Sequence, residues 1–207
     1  MVMKAGLGPP KVDILLKTLA LWFIAIVGWK AKSDIDIHLL PKKFVAILAP
    51  HTSNWDLIFI TGVIFALGLK FNWFGKKEAF RWPLGGLFKR LGGIPIERAT
   101  RQNMVEQTAA LIRARDRVII GIAPEGTRSN SKYWKTGFYH IAHQAAVPIV
   151  FAFLDYARKV GGLGPMMQTT GDIEEDLEEI RQYYKGVTAK NPALVGEIAI
   201  KPKNRAN

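Results

Sequence analysis

Residues 44–69 read FVAILAPHTSNWDLIFITGVIFALGL, a short apolar run, a polar segment and a longer apolar run. Residues 44–49 have the length and composition of a buried β-strand, and Pro50 ends the run. Residues 57–69 are apolar over a length that suits a helix, and residues 52–54 are all good N-cap residues. This stretch therefore predicts a strand, a polar loop and a helix.

The same alternation of short apolar runs and helix-like stretches continues along the chain. The predicted strands are residues 44–49, 71–74, 93–96, 118–122 and 147–154, and the predicted helices are residues 57–69, 103–115, 137–146 and an acidic stretch at 172–184. Strands that alternate with helices favour parallel pairing, because a parallel connection must cross over the sheet. We therefore expect an α/β domain with a largely parallel central sheet flanked by helices.

An apolar segment precedes this predicted domain. Residues 14–29 read ILLKTLALWFIAIVGW, and Lys11, Lys30 and Lys32 flank them. The segment is shorter than the roughly 20 residues that a helix needs to cross a bilayer. Its cationic ends and its tryptophans favour a helix that lies in the plane of the membrane interface. The alternatives are a buried helix of the core and a signal peptide.

The composition narrows the kinds of partner. The net charge is +12, which predicts attraction to nucleic acid, an anionic membrane surface, an acidic carrier or a phosphate-bearing substrate. The chain has 11 Phe and 6 Trp, several of them near lysines, and this favours the membrane surface. The acidic run at residues 174–179 argues against a surface given over to nucleic acid. The lack of cysteine excludes disulfides, thiolate catalysis and cysteine-bound zinc.

His51 and Asp56 are a candidate catalytic pair. They are five positions apart, about 140° on a continuous helix, so they meet only if His51 lies on the loop before the helix. A carboxylate on one imidazole nitrogen fixes the tautomer and leaves the other nitrogen free to accept a proton. The chain has no cysteine and no G-x-S-x-G turn, so the base would activate the hydroxyl of the substrate itself. The alternative is a pair that only caps the helix.

A second polar segment follows the fourth predicted strand. Pro124 and Gly126 favour a turn, and Thr127 and Arg128 offer a hydroxyl and a guanidinium to a phosphate or carboxylate. The alternative is an ordinary turn with a solvated arginine. A third segment, residues 92–98, ends a short apolar strand in an arginine, at a position where open α/β sheets collect ligands.

These segments resemble the signature blocks of the lysophosphatidate and glycerol-phosphate acyltransferase family. His51 and Asp56 match its HXXXXD pair, and residues 124–129 reproduce its PEGTRS block. Residues 93–98 are similar to its second block, and residues 147–150 look like its fourth. The order and spacing of all four blocks agree with the family.

The resemblance implies a role for each matching residue. It implies that His51 is the general base on the acceptor hydroxyl and that Asp56 orients it. It further implies that Arg98 and Arg128 bind the phosphate of the acceptor, and it adds four substrate-binding positions, Lys76, Glu125, Gly126 and Thr127. The implied acyl donor is a thioester of coenzyme A or of acyl carrier protein, with no metal or redox cofactor.

The resemblance also implies a reaction and its location. It predicts a membrane-associated O-acyltransferase that acylates a lysophospholipid, most simply 1-acylglycerol-3-phosphate to give phosphatidate. The alternatives are a different lyso-lipid or amino-lipid acceptor, or a non-catalytic basic protein that binds membranes peripherally. The chain would then divide into a membrane-interface helical segment at residues 1–40 and an acyltransferase domain at residues 41–207. We expect it on the cytoplasmic face of the inner membrane, without a nucleic-acid partner.

Overall fold

The computed structural model describes residues 9–96, 104–129 and 131–201, without the side chains of Lys76 and Ile96. Within these ranges the helices are α1 (Ile14–Ile26), α2 (Trp55–Ala66), α3 (Gly85–Arg90), α4 (Met104–Ala114), α5 (Gly137–Ala145) and α6 (Ile173–Tyr184). The strands are β1 (Lys30–Ser33), β2 (Lys43–Leu48), β3 (Asn72–Lys76), β4 (Gly93–Ile96), β5 (Val118–Ile122), β6 (Ile149–Asp155) and β7 (Val160–Met167).

The strands form one seven-stranded sheet in the order β1-β7-β6-β2-β5-β3-β4. All neighbours pair in parallel except β6 and β7, so β1 and β7 run against the other strands. The predicted α/β fold with a largely parallel sheet is confirmed. The carboxyl ends of β6, β2, β5, β3 and β4 share one edge of the sheet, and the polar segments that follow these strands gather there.

Helices cover both faces of the sheet. One core packs α4, α5 and α6 against the first face, and a second core packs α1 and α2 against the other. Every residue of β6 is buried, and so are the four central residues of β2. A strand that is covered on both sides has no polar face, which explains why these strands read as continuous apolar runs.

The first helix is buried on one side only. Its N-cap is Asp13, whose carboxylate accepts a hydrogen bond from the Leu16 backbone N–H at 2.9 Å, and the chain turns after it at Gly28, with φ of +73°. Ala20 and Ile24 are buried in the second core. No helix in the described ranges is long and apolar enough to cross a membrane. The large apolar side chains that α1 exposes are Ile14, Leu15, Leu19, Leu21, Trp22 and Ile26.

Three elements have no counterpart among the sequence predictions. β1 reads KAKS and β7 reads VGGLGPMM, and neither has the pattern of a buried strand. α3 is a helix of only six residues. β1 lies within residues 1–40 and pairs with β7, so this segment contributes a strand as well as a helix. The division of the chain at residue 40 stays a prediction.

Candidate active site

His51 and Asp56 meet across the loop between β2 and α2. Asp56 lies in the first turn of α2, whereas His51 lies on the loop, which is the arrangement that contact required. His51 Nδ1 is 3.0 Å from Asp56 Oδ2. The carboxylate favours the tautomer with a proton on Nδ1, so Nε2 is the nitrogen that can accept a proton from a substrate.

Asp56 is a buried carboxylate with four hydrogen-bond donors. The backbone N–H groups of Thr52 and Ser53 donate to Oδ2 at 2.8 Å each, beside His51, and the Tyr156 hydroxyl donates to Oδ1 at 2.6 Å. Burial alone raises the pKa of this carboxyl, but the hydrogen bonds from His51, Tyr156 and Ser53 outweigh it and lower the pKa below its ordinary value. The same ionised group therefore caps the loop backbone and orients the imidazole.

Tyr156 is a site residue that the sequence analysis did not identify. It follows β6 directly, and β6 pairs in parallel with β2, so the two strands deliver their next residues to the same edge. Tyr156 and Asp56 are 100 positions apart in the chain. The only sequence signal was a position just beyond a buried strand, and that signal gains meaning only once the strand order is known.

Glu125 connects the PEGTRS segment to the loop between β2 and α2 that carries His51. It follows β5, the other neighbour of β2, and its Oε1 accepts a hydrogen bond from the His51 backbone N–H at 3.0 Å. The side chain is buried, and Oε2 has no hydrogen-bond partner among the described residues. Burial is the main cause that raises the pKa of Glu125 to about 7. Glu125 thus holds the backbone of the loop that carries His51.

Residues 126–129 of the PEGTRS segment form an exposed turn. Gly126 has φ of +65°, which favours glycine, and a Cβ at this position would meet the Lys135 side chain. Thr127 Oγ1 lies 2.9 Å from Ser129 Oγ and accepts the Ser129 backbone N–H at 3.3 Å. Arg128 is exposed. The turn therefore presents a guanidinium and two hydroxyls next in sequence to Glu125, the residue that contacts the His51 backbone.

The segment after α6 also contacts the loop between β2 and α2. The Asn191 backbone N–H donates to Thr52 Oγ1 at 3.1 Å, and its side-chain amide donates to the Thr52 carbonyl at 2.9 Å. Lys190 Nζ lies 5.0 Å from the centre of the Trp55 ring, at the start of α2. These contacts hold the loop through a segment that is 139 positions away in the chain. The weak sequence pattern after residue 191 did not indicate them.

Two predicted binding residues, Lys76 and Arg98, belong to strands β3 and β4, which end at the same edge: Lys76 is the last residue of β3, and Arg98 comes two positions after β4 in the sequence. Lys76 ends β3 and pairs in register with Ile96 at the end of β4. β3 pairs with β5, so these strand ends continue the edge beyond the PEGTRS turn. The side chain of Lys76 and the whole of Arg98 lie outside the described residues, and their roles stay predictions. No group of three or more His, Asp or Glu side chains suited to a metal ion occurs in the part of the chain that the structure describes.

The fold and the site together define a class of protein: an α/β protein with a hydrogen-bonded His–Asp pair at the carboxyl edge of a mostly parallel sheet. A family model described as Acyltransferase matches residues 35–152, more than half of the chain. The chain belongs to this acyltransferase family, and the identification made from the sequence is confirmed.

Two further comparisons bear on the fold. None of the curated proteins compared with the chain matches it. Among solved structures, the chain is similar to the crystal structure of the 1-acyl-sn-glycerophosphate (LPA) acyltransferase PlsC from Thermotoga maritima, with a TM-score of 0.56 and 15% sequence identity. The similarity covers 83% of this chain and 74% of that one, and at this identity it shows a shared fold.

Proposed function

We propose that this protein moves a fatty acyl group from a thioester to the hydroxyl of a lysophospholipid, most simply 1-acylglycerol-3-phosphate, to give phosphatidate. The observation that supports the chemistry is the 3.0 Å contact between His51 Nδ1 and Asp56 Oδ2, which leaves Nε2 for the hydroxyl proton. Membership of the acyltransferase family, and a fold shared with an LPA acyltransferase, support the same class of reaction.

The proposed reaction moves one proton to the imidazole and back. His51 Nε2 takes the proton of the acceptor hydroxyl while that oxygen attacks the thioester carbonyl carbon, and the Asp56 carboxylate stabilises the imidazolium that forms. The tetrahedral intermediate then collapses, the C–S bond breaks, and the imidazolium protonates the departing thiolate. The products are an ester and a free thiol. The scheme needs no covalent intermediate on the protein and no metal or redox cofactor.

The PEGTRS turn is the proposed site for the phosphate of the acceptor. Arg128 is exposed on this turn, and Thr127 adds a hydroxyl beside it. Arg98 and Lys76 are proposed to complete the site, because β4 and β3 end at the same edge of the sheet. The raised pKa of Glu125 keeps a share of this carboxyl neutral near pH 7, which reduces its repulsion of a phosphate.

Membrane association is the proposed reason for the exposed apolar face of α1. Ile14 and Ile26, at opposite ends of the helix, are 83% and 80% exposed, and Trp22 between them is 66% exposed. A helix that is buried on one face and apolar on the other can lie flat in a membrane interface, and a net charge of +12 adds attraction to anionic lipids. The proposed location is the cytoplasmic face of the inner membrane, where a soluble thioester can reach a lipid acceptor.

A second candidate is a basic protein that binds membranes peripherally without turnover. The exposed face of α1 and the positive charge support it, because neither depends on His51. A different lyso-lipid or amino-lipid acceptor is a third outcome that the same apolar face allows.

The test is an acyl-transfer assay of the purified protein against a panel of lyso-lipid acceptors, with coenzyme A and acyl carrier protein each loaded with several chain lengths. His51→Ala should lower transfer by roughly a thousandfold while folding and vesicle binding persist. His143→Ala is the matched control, because His143 lies on α5 and contacts Thr169 instead of the dyad formed by His51 and Asp56. Normal transfer in His51→Ala contradicts the mechanism. Vesicle binding without any transfer by the parent supports the second candidate.

A further inference from the structure

We propose that Tyr156 is a positioning residue of this active site: its hydroxyl holds the Asp56 carboxylate in the one orientation that keeps Oδ2 aligned with His51 Nδ1. The inference rests on the proposed acyl transfer for its kinetic test. Its spectroscopic test needs no turnover, so the role of Tyr156 and the proposed acyl transfer can fail separately.

The contact itself gives Tyr156 this role. Three donors converge on Asp56 Oδ2, namely the His51 ring and the backbone N–H groups of Thr52 and Ser53. The Tyr156 hydroxyl donates to the other oxygen, Oδ1, at 2.6 Å. A carboxylate that is hydrogen-bonded at both oxygens cannot rotate about its Cβ–Cγ bond without breaking a bond at each end.

Tyr156 is itself held firmly enough to position a neighbour. Its backbone N–H donates to the Thr188 carbonyl at 2.9 Å. Its ring meets Trp29 and Phe59 edge to face, with centroid distances of 4.9 Å and 6.0 Å and interplanar angles of 87° and 89°. Burial, and then the hydrogen bond to Asp56, raise the pKa of Tyr156, so the phenol keeps the proton that it donates.

The neighbourhood of the dyad leaves Tyr156 as the donor to Oδ1. The titratable groups that act on Asp56 are His51 and Tyr156 through hydrogen bonds, and Glu125 interacts with it through space. Glu125 accepts the His51 backbone N–H and makes no hydrogen bond to Asp56. Removal of the Tyr156 hydroxyl therefore leaves Oδ1 without its donor.

A second tyrosine–aspartate pair in this chain provides a matched control. The Tyr139 hydroxyl donates to Asp176 Oδ2 at 2.7 Å, between α5 and α6. This pair has the same chemistry and nearly the same length as the pair at the site, but it lies in the core on the other face of the sheet. Tyr139→Phe thus removes the hydrogen bond to Asp176, together with the one that the Tyr139 hydroxyl accepts from the Gly171 backbone N–H at 2.9 Å, without touching His51 or Asp56.

The kinetic test compares Tyr156→Phe with Tyr139→Phe in the full chain. We expect Tyr156→Phe to lower kcat roughly tenfold, as loss of a hydrogen bond to a charged group does, with an unchanged KM for acceptor and donor. Tyr139→Phe should leave kcat unchanged. Because Tyr156 is proposed to act through Asp56, the tenfold loss should vanish in an Asp56→Asn background.

The spectroscopic test follows the proton of His51 by ¹⁵N NMR of the imidazole, with the signal assigned by its loss in His51→Ala. The parent and Tyr139→Phe should show the tautomer with the proton on Nδ1, and Tyr156→Phe should show a mixture with Nε2–H. An unchanged kcat and an unchanged tautomer in Tyr156→Phe would overturn the proposal. If the parent transfers no acyl group at all, the proposed function fails and the tautomer alone decides the role of Tyr156.

A measurement on the intact tyrosine keeps the proposal testable if Tyr156→Phe does not fold. The ¹³Cζ signal of Tyr156 should move on Asp56→Asn and stay in place on Asp176→Asn, whereas the signal of Tyr139 should do the reverse. A Tyr156 signal that is the same in the parent and in Asp56→Asn shows that the hydrogen bond does not exist, and the proposal then falls.

Discussion

At the scale of single residues, the site contains two buried carboxyl groups whose environments push them in opposite directions. Asp56 has four donors on its two oxygens, and its pKa is lowered. Glu125 accepts one backbone N–H on Oε1, its Oε2 has no hydrogen-bond partner in the described part of the chain, and its pKa is raised to about 7. Both groups are buried, so the number of donors decides the sign of the shift. The first group is equipped to stay charged beside an imidazolium, and the second can exchange a proton near neutral pH.

We expect Glu125 to make the protein less stable as the pH rises. Its pKa is raised from 4.5 to about 7, so the folded protein holds this proton more tightly than the unfolded chain does. The stability that Glu125 contributes in this way is fully present below pH 4.5 and is lost as the pH rises through about 7. The shift corresponds to about 3 kcal/mol of unfolding free energy. Asp56, whose pKa is lowered from 3.8, loses its contribution only below that value, outside this window.

Glu125→Gln tests this pH dependence, because glutamine can still accept the His51 N–H but cannot titrate. Guanidinium unfolding across this pH range should show a smaller fall in stability for Glu125→Gln than for the parent. Glu179→Gln, exposed on α6, should follow the parent. Parallel curves for the parent and Glu125→Gln would contradict the expectation.

Gly126 is a second residue whose substitution has a defined outcome. Its φ of +65° disfavours a side chain, and a new Cβ would also displace the Lys135 side chain. We expect Gly126→Ala to lower the unfolding free energy by about 1 kcal/mol and to raise the KM for a phosphate-bearing acceptor. Gly137→Ala is the control, because no atom of the described residues lies within 4 Å of a Cβ there and α5 gains a better helix former. Equal stability and KM in Gly126→Ala and the parent would show that the turn tolerates a side chain.

At the scale of elements, the sequence predicts the strands that are buried on both faces. β2, β5 and β6 adjoin one another in the middle of the sheet, and their apolar runs are the direct result of cover on both sides. β1 has no apolar run because it is an edge strand, and β7 is rich in glycine where β1 approaches it. β1 is held mainly by backbone pairing, and β7 adds only Leu163 and Met167 to the buried cores, so neither strand has a continuous apolar run.

The candidate site divides in the same way. His51 and Asp56 could be paired from the sequence because a strand, a loop and a helix start bring them together within six residues. Tyr156 and Asn191 could not be found, because they reach the dyad only through the order of β6 beside β2 and through the path of the chain after α6. Local geometry is readable from one sequence, whereas contacts across the sheet need the topology.

The pairing of β1 with β7 depends on a glycine. A Cβ on Gly162 would overlap the Lys32 carbonyl oxygen of β1, and a backbone atom cannot turn away as a side chain can. We expect Gly162→Ala to separate these strands and to lower the unfolding free energy by roughly 1–3 kcal/mol, the usual cost of overpacking. Gly186→Ala should unfold like the parent, because a Cβ at this position meets no atom within 4 Å in the described ranges. A Gly162→Ala variant of parental stability would mean that β1 shifts without loss.

At the scale of the whole molecule, the helix with the exposed apolar face and the helix that carries Asp56 lie on the same side of the sheet. α1 and α2 pack on the same face of the sheet, and α2 carries Asp56 in its first turn. Trp55 and Ile58, in the first two turns of α2, are exposed as well. Apolar side chains are therefore exposed both on α1 and beside Asp56. A bilayer against this face would bring a lipid acceptor to the site by motion within the membrane plane alone.

This arrangement predicts that a negative charge introduced on the exposed face of α1 weakens membrane binding and leaves acyl transfer itself intact. Ala20 and Ile24 of α1 are buried, so deletion of the helix would damage the core, and surface substitutions are the sharper test. Trp22→Glu and Ile26→Glu should each weaken binding to anionic vesicles about tenfold, since each removes an apolar side chain from the interface. Added salt should also weaken the binding of the parent to anionic vesicles, because its net charge of +12 contributes to that binding.

Vesicle sedimentation measures this binding. Val195→Glu is the control, because Val195 is an exposed apolar residue outside α1 and its substitution adds the same charge. Transfer to a short-chain, water-soluble lysophospholipid should persist in all three variants, since none of them touches His51 or Asp56. Binding by Trp22→Glu and Ile26→Glu that equals that of Val195→Glu would assign the membrane contact to another surface. Loss of transfer to the soluble acceptor together with binding would instead show that α1 supports the fold of the site.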